Sequence, residues 1–229
     1  MKNFIFNVLV LSFVFLSATE QTTAQPIFQS FGTTLEKGAN IGAGIQINDN
    51  RTLINGSVGY VTKNKFEFGV LVTRFRVDNI DDVRTGVGVY FTSNPVKQTE
   101  ELPIGITVSS SYLYHIFSGD SFDALKDIGI TTRGGQTFIG AGVNHLFQAS
   151  PAMAVVPELE VGYVNTSITA SASGQSETNR DTEFFMGLGV RVIVQNEGRP
   201  LSIMPRLRFA DGESFGGISI NAGIPAPSN

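Results

Sequence analysis

The chain has no cysteine and no tryptophan, only two histidines, and charged residues at just 16% of its 229 positions. Without cysteine there is no disulfide framework, no thiolate nucleophile and no Cys-ligated metal. His115 and His145 belong to no H-E-x-x-H pair, and no G-x-S-x-G nucleophile elbow occurs, so the common hydrolase signatures are missing. A net charge of -4 gives no basic surface for a nucleic acid. Such sparse charge is unusual on a soluble exported protein, whereas a surface facing lipid requires it. Long apolar runs are also scarce. The one candidate, Phe4 to Leu16, falls short of the roughly 20 residues of a membrane-spanning helix.

That run follows Lys2 and precedes a polar stretch ending in Thr22, Thr23 and Ala24, the anatomy of a cleaved secretory signal over residues 1–24. Residues 25–37 then form a short lead, residues 38–225 one domain and residues 226–229 a tail. An exported chain of this size without disulfides must be held by a large core or a closed sheet.

What is abundant is glycine, 25 residues, and phenylalanine, 18, set in strict alternation. In "VRTGVGVYF", Val83, Val87, Val89 and Phe91 fall on one face, with Arg84, Gly86, Gly88 and Tyr90 on the other. "ITVSSSYLYHI" separates Ile106, Val108, Tyr112, Tyr114 and Ile116 from Thr107, Ser109, Ser111 and His115 in the same way. Period two means strands with one apolar face. About ten are expected, near residues 38–48, 52–62, 65–78, 82–94, 102–117, 135–148, 152–166, 181–195, 199–210 and 214–225. Every second connection is turn-like and mostly short. The alternate set holds two long ones, "SGDSFDALKDIGITTRGG" and "NTSITASASGQSETNR", the first with a single helical turn capped by Ser121. Long loops at one end and short turns at the other are the asymmetry of membrane barrels.

A G-x-G motif recurs at Gly42 and Gly44, Gly86 and Gly88, Gly140 and Gly142, and Gly187 and Gly189. A dinucleotide fingerprint needs a further glycine three residues on, where Ile47, Phe91, His145 and Val192 stand instead. Two glycines at i and i+2 of a strand instead strip side chains from one face, here the one opposite Val and Ile. That same face carries Gln46, Asn55, Glu67, Arg84, Asn144, Glu158, Glu160, Arg191, Arg206 and Arg208. Aligning the turns sets Glu158 opposite Arg191 and Gly189 between Glu160 and Arg206. Carboxylates and guanidiniums then pair across emptied positions, either filling and rigidifying the interior or forming a polar eyelet for solute.

With its signal-like start, Gly-rich alternating strands, asymmetric loops and last strand "GISINAGI", the chain resembles the porin-like small outer-membrane β-barrel proteins of Gram-negative bacteria. The resemblance implies an all-β, antiparallel up-and-down transmembrane barrel in the outer membrane. It also implies a monomer in contact with outer-membrane lipid and the barrel-assembly machinery, with a non-enzymatic porin-like, structural or surface-interaction role, and neither cofactor nor metal. The aromatic belt would come from Tyr60, Phe66, Tyr112, Tyr114, Tyr163 and Phe209. Two other readings compete. A secreted soluble barrel or sandwich turns the Val, Ile and Phe faces inward to bind a ligand. A lumen enzyme acting on outer-membrane lipid would build on His115 with Ser109 and Ser111. The acids Asp78, Asp81 and Asp82, and Asp120, Asp123 and Asp127, lack calcium-loop spacing and read as solvated loop charge.

Overall fold

Alternation sustained along the whole chain commits the backbone to ladders, and every ladder leaves two edges unless the sheet closes on itself. Here it closes. The computed structural model describes residues 35, 37–48, 51–62, 66–77, 82–196 and 198–227. In order these form β1 (Gly38–Asn48), β2 (Arg51–Thr62), β3 (Phe66–Val77), β4 (Val83–Val96), β5 (Gly105–Ser118), α1 (Asp120–Asp127), β6 (Ile130–Asn144), β7 (Phe147–Ser150), β8 (Met153–Ala172), β9 (Gln175–Asn196), β10 (Arg199–Ala210) and β11 (Glu213–Pro225). Each long strand pairs antiparallel with its neighbours, β1 with β11 and β6 with β8, so all but β7 form a closed ring of ten. β7 is a four-residue flap that pairs only with the start of β8. The signal-like segment and most of the lead lie outside the described residues.

The faces sort by polarity in the sense that excludes the soluble alternative. Val89, Val70, Ile54, Phe68, Ile139 and Tyr163 are each more than half exposed on the outer wall. Arg84, Glu67 and Gln46 are at most 3% exposed on the inner one. A water-soluble barrel needs the opposite arrangement.

The interior is packed rather than hollow. Leu71, Tyr90 and Leu113 form one inner cluster, and Phe138, Val164, Phe185 and Ala210 another. Toward the long-loop end Leu53, Phe75 and Phe215 meet, and α1 drops Phe122 onto Phe117 and Ile168, with ring centroids of Phe117 and Phe122 5.0 Å apart. At the other end Leu35 rests on Val61, and Ala154, Val156 and Ile193 pack with Leu146. The inward-facing phenylalanines are what the polar-lumen expectation missed.

Three local expectations are corrected. The polar stretch 165–180 is not a loop. β8 runs on to Ala172 and β9 starts at Gln175, joined by a two-residue turn at Ser173 and Gly174, both at positive φ. Its Thr and Ser residues lack the apolar mark of a strand, yet they pair across it, Thr169 with Thr178 at 2.9 Å and Asn165 with Thr182 at 2.7 Å. The expected single turn is an eight-residue helix whose N-cap is Gly119, without a side-chain cap; the Ser121 N–H instead donates to Asp82. Finally, β6 starts at Ile130 rather than near residue 135, because Gly129, at φ 81°, turns the chain directly out of α1 into the sheet.

Phe185 is fully buried and stacks on Phe138 at 5.1 Å. Phe185→Ala is expected to lower stability by about 3–5 kcal/mol in equilibrium denaturation. A loss within error of zero would mean that the interior is not close-packed.

Candidate functional site: the charged barrel interior

Charge inside the barrel is balanced. Four carboxylates (Glu67, Glu158, Glu160 and Glu183) and four guanidiniums (Arg84, Arg191, Arg206 and Arg208) are held among the inward-facing side chains. Alternation puts them there: on β3, β4, β8 and β9 they share the parity of the strand's glycines, and on β10, which has none, Arg206 and Arg208 alternate with Leu207 and Phe209. Isolated charges buried in this way would be prohibitively costly, so their partners decide whether the barrel can fold.

The largest group spans β8, β9 and β10. Arg191 donates to Glu158 at 2.8 Å, and Arg206 donates to Glu160 at 2.6 Å while lying 3.5 Å from Glu158. The result is a continuous chain Arg191–Glu158–Arg206–Glu160, with every member's side chain no more than 10% exposed. The ion pairs are those expected from the sequence, but the register is not. Glu158 faces Gly189, which faces Arg206, and Glu160 faces Gly187, which faces Arg208. β8 is thus two residues out of the expected alignment against β9, while Gly189 faces Arg206 as expected, and the pairs form along diagonals, within reach of long side chains. The gap that matters for Glu160 and Arg206 is therefore Gly187. A Cβ there would sit 3.4 Å from Arg206 Nε and 3.8 Å from Glu160 Oε2. At Gly189 a Cβ would instead strike the Met204 methyl at 2.4 Å.

Arg208 and Arg84 use rings. The Arg208 guanidinium lies 3.8 Å from the Phe185 centroid and 5.9 Å from that of Phe138, and Arg84 lies 4.8 Å from Phe75. Desolvated cation–π contacts of this kind contribute about 2 kcal/mol. Glu183 lies within electrostatic reach of both arginines. It was missed in the sequence, although counting back from Gly187 in steps of two reaches it after Phe185.

Glu67 stands apart from this group. It accepts from Asn40 at 2.5 Å and from the Tyr90 hydroxyl at 2.7 Å. Tyr90 reaches it through a slot made by the facing pair Gly59 and Gly69, where an added Cβ would come within 2.1 Å of the Tyr90 oxygen and 2.7 Å of its ring. These two glycines are not in G-x-G form, so no motif marks them in the sequence.

The eight motif glycines all lie on the inner face, each against a neighbour that needs the space or against backbone. A Cβ on Gly42 would meet Asn221, on Gly44 Asn55 and Ser219, on Gly86 Thr73 and His115, and on Gly140 Phe138 and Glu160. At Gly88 and Gly142 the nearest atoms are the backbone oxygens of Tyr112 and Leu159.

His115 is 2% exposed and tilts against Phe117 at 6.5 Å. Ser111 is four residues away on the same strand, about 13 Å at strand rise, and Leu113 stands between them on the inner face. No serine–histidine pair forms there, since proton transfer needs about 3 Å. Ser109 instead lies 3.4 Å from Thr92. At the opposite rim His145 is hydrogen-bonded to the Pro103 carbonyl and packs on Phe147. Among the described residues no group of three or more His, Asp or Glu converges as a metal site. Asp123 is paired with Lys126 at 2.8 Å, and Asp78 and Asp81 lie outside the described residues.

No protein-family model matches the chain, and no curated protein matches it. Several solved barrels are similar in structure. The β domain of the Bordetella autotransporter BrkA is 10% identical with a TM-score of 0.47, over 83% of this chain and 100% of that one. The N-terminal β-barrel domain of Pseudomonas aeruginosa OprF is 13% identical with a TM-score of 0.38, over 83% and 98%. The outer membrane protease OmpT from Escherichia coli is 8% identical with a TM-score of 0.37, over 82% and 92%.

Removing Arg206 strands the buried Glu160 and takes from Glu158 the weaker of its two partners. Arg206→Ala is expected to cost about 3–5 kcal/mol, read by denaturant unfolding, and Arg206→Met together with Glu160→Gln to cost clearly less. Equal losses in the two variants would show that the ion pairs are not coupled as described.

Proposed function

We propose that this chain is an outer-membrane β-barrel whose role is structural or directed at surface contact, and that it is neither a solute conduit nor an enzyme. The observation that carries the reading is the inversion of polarity: apolar side chains cover the outside of a closed ring while all eight charges named above are enclosed. Lipid is the solvent that suits such a wall, because a closed barrel leaves no unpaired backbone toward it. The ring runs outward through Phe66 and Phe91, stacked at 5.8 Å, Tyr60 and Phe68 at 6.2 Å, and Tyr163 and Phe184 at 5.5 Å, the residue types that favour the water–lipid boundary. Export through the signal-like segment, delivery to the barrel-assembly machinery and a monomeric state complete the reading.

Support for a filled role over a conducting one comes from the interior. A water-filled channel leaves its lining accessible, but Leu53, Leu71, Leu113, Phe138, Phe185, Met204 and Phe215 are each at most 2% exposed. Of the charges that would make an eyelet, Arg191, Glu158, Arg206 and Glu160 are spent on one another and Arg84 and Arg208 lie on phenylalanine rings, and Phe122 of α1 closes over the inner face at the long-loop end. That end also carries the β8–β9 hairpin, which rises past the top of β10. β10 stops at Ala210 opposite Phe185, while β9 starts ten residues earlier, at Gln175. Surface contact is thus the role for which this end has material to offer.

The unboiled protein extracted from membranes is expected to migrate differently in gel electrophoresis from the boiled one, and to give no steady conductance in planar bilayers. Recovery of the folded protein from the soluble fraction would overturn the membrane reading, and stable channels would overturn the filled one. In lipid vesicles Val89→Arg, at the middle of an outward face, is expected to destabilise the barrel by about 2–4 kcal/mol. No loss on unfolding would put Val89 in water.

A further inference from the structure

Most of the wall keeps an unbroken ladder, but between β9 and β10 two rungs are missing. Pairing stops after Ile203 opposite Val192 and resumes at Arg206 opposite Gly189, with the register unchanged, so this is a gap and not a bulge. Pro205 lies in it and has no N–H to give. Across the other side of β9, Val190 faces a second proline, Pro157, whose carbonyl is turned away to accept the N–H of His145 at 3.2 Å. Val190 is therefore flanked by proline on both sides, in central strands where proline is normally excluded.

Outside the gap the wall carries a shallow, open groove of about 770 Å³. Val143, Leu159, Leu188, Val190 and Leu207 line it, with the two prolines between them and Gly216 leaving one flank open. It runs from mid-wall down to His145 at the rim near the chain ends. The charged residues at this level, Glu158 and Arg206, turn their side chains to the interior, where they are bonded to each other and to their neighbours. An apolar chain finds a surface here, and a polar headgroup at mid-wall finds none.

We propose that this groove is a seat for one acyl chain of a bilayer lipid, laid across β8, β9 and β10 over the interrupted ladder. The groove is continuous with the apolar face that meets lipid, and its occupant keeps water from the wall directly behind which Arg191, Glu158 and Arg206 are paired. The proposal rests on the membrane reading above.

The absence of tryptophan makes a clean test. Met186→Trp places a reporter just above the groove on β9, and Val89→Trp places one on the far wall. Each full-length variant is reconstituted in phosphatidylcholine vesicles, and lysophosphatidylcholine brominated on its single acyl chain is added at low mole fraction. Quenching of Met186→Trp is expected to saturate and to exceed that of Val89→Trp by about threefold or more, as preferential occupancy requires. Adding Gly216→Phe, at a position where a Cβ meets nothing within 4 Å, fills the groove and brings the two to the same level. Equal quenching at both reporters, or an excess that survives Gly216→Phe, overturns the seat. Absence of quenching at both overturns the membrane reading instead.

Discussion

Everything in this molecule depends on where the backbone hydrogen bonds go. Closing the ring through β6–β8 and β1–β11 pairs strand edges that would otherwise template other chains, and it divides the side chains into two populations with no intermediate layer. Once that division exists, the surface is free to be apolar and the interior must absorb the polarity. The four-to-four balance of carboxylates and guanidiniums follows from the same constraint, because no solvent is left inside to absorb a surplus.

Glycine is what makes the balance geometrically feasible. A ten-strand ring holds large side chains only if some inward positions are empty, and the chain empties them where a long side chain crosses: Gly187 beneath Arg206 and Glu160, Gly59 and Gly69 around Tyr90. The phenylalanines take the remaining volume and double as ring partners for Arg84 and Arg208, two arginines that the carboxylates alone do not satisfy. Packing and electrostatics are in this sense one problem solved by the same residues.

Much of the fold could be read from alternation alone, because period two is a direct record of which face meets which solvent. Val83 to Phe91 and Ile106 to Ile116 announce both the strand and its orientation. The polarity of the charged residues could be read for the same reason, since Glu158, Glu160 and Arg191 share parity with the glycines of their strands and Arg206 alternates with Leu207 and Phe209. What could not be read throughout is register, which is fixed by the sum of many rungs and turns: Gly189 faces Arg206 as an alignment of turns expects, but β8 and β9 differ from that alignment by two residues. The strand character of 165–180 was hidden because its inner face is marked only by Ile168 and the small Ala170 and Ala172, among Thr, Ser and Asn. The inward phenylalanines were hidden because an aromatic residue suits lipid and core equally well.

The two ends of the barrel's sheet meet, Ala226 donating to the Lys37 carbonyl at 2.9 Å beside the pairing of Gly38 with Pro225. The seam that completes the ring thus joins the first strand to the last, the most distant pairing the sequence offers. Such a contact carries the largest loop-closure entropy of any ladder and gives nothing back until every intervening strand is in place. Until the last strand arrives, β1 has an open edge and the apolar outer face has no ring to belong to. The ring of the folded barrel is closed, but its precursor is the reverse, a nearly complete sheet whose exposure lasts as long as one final strand is missing.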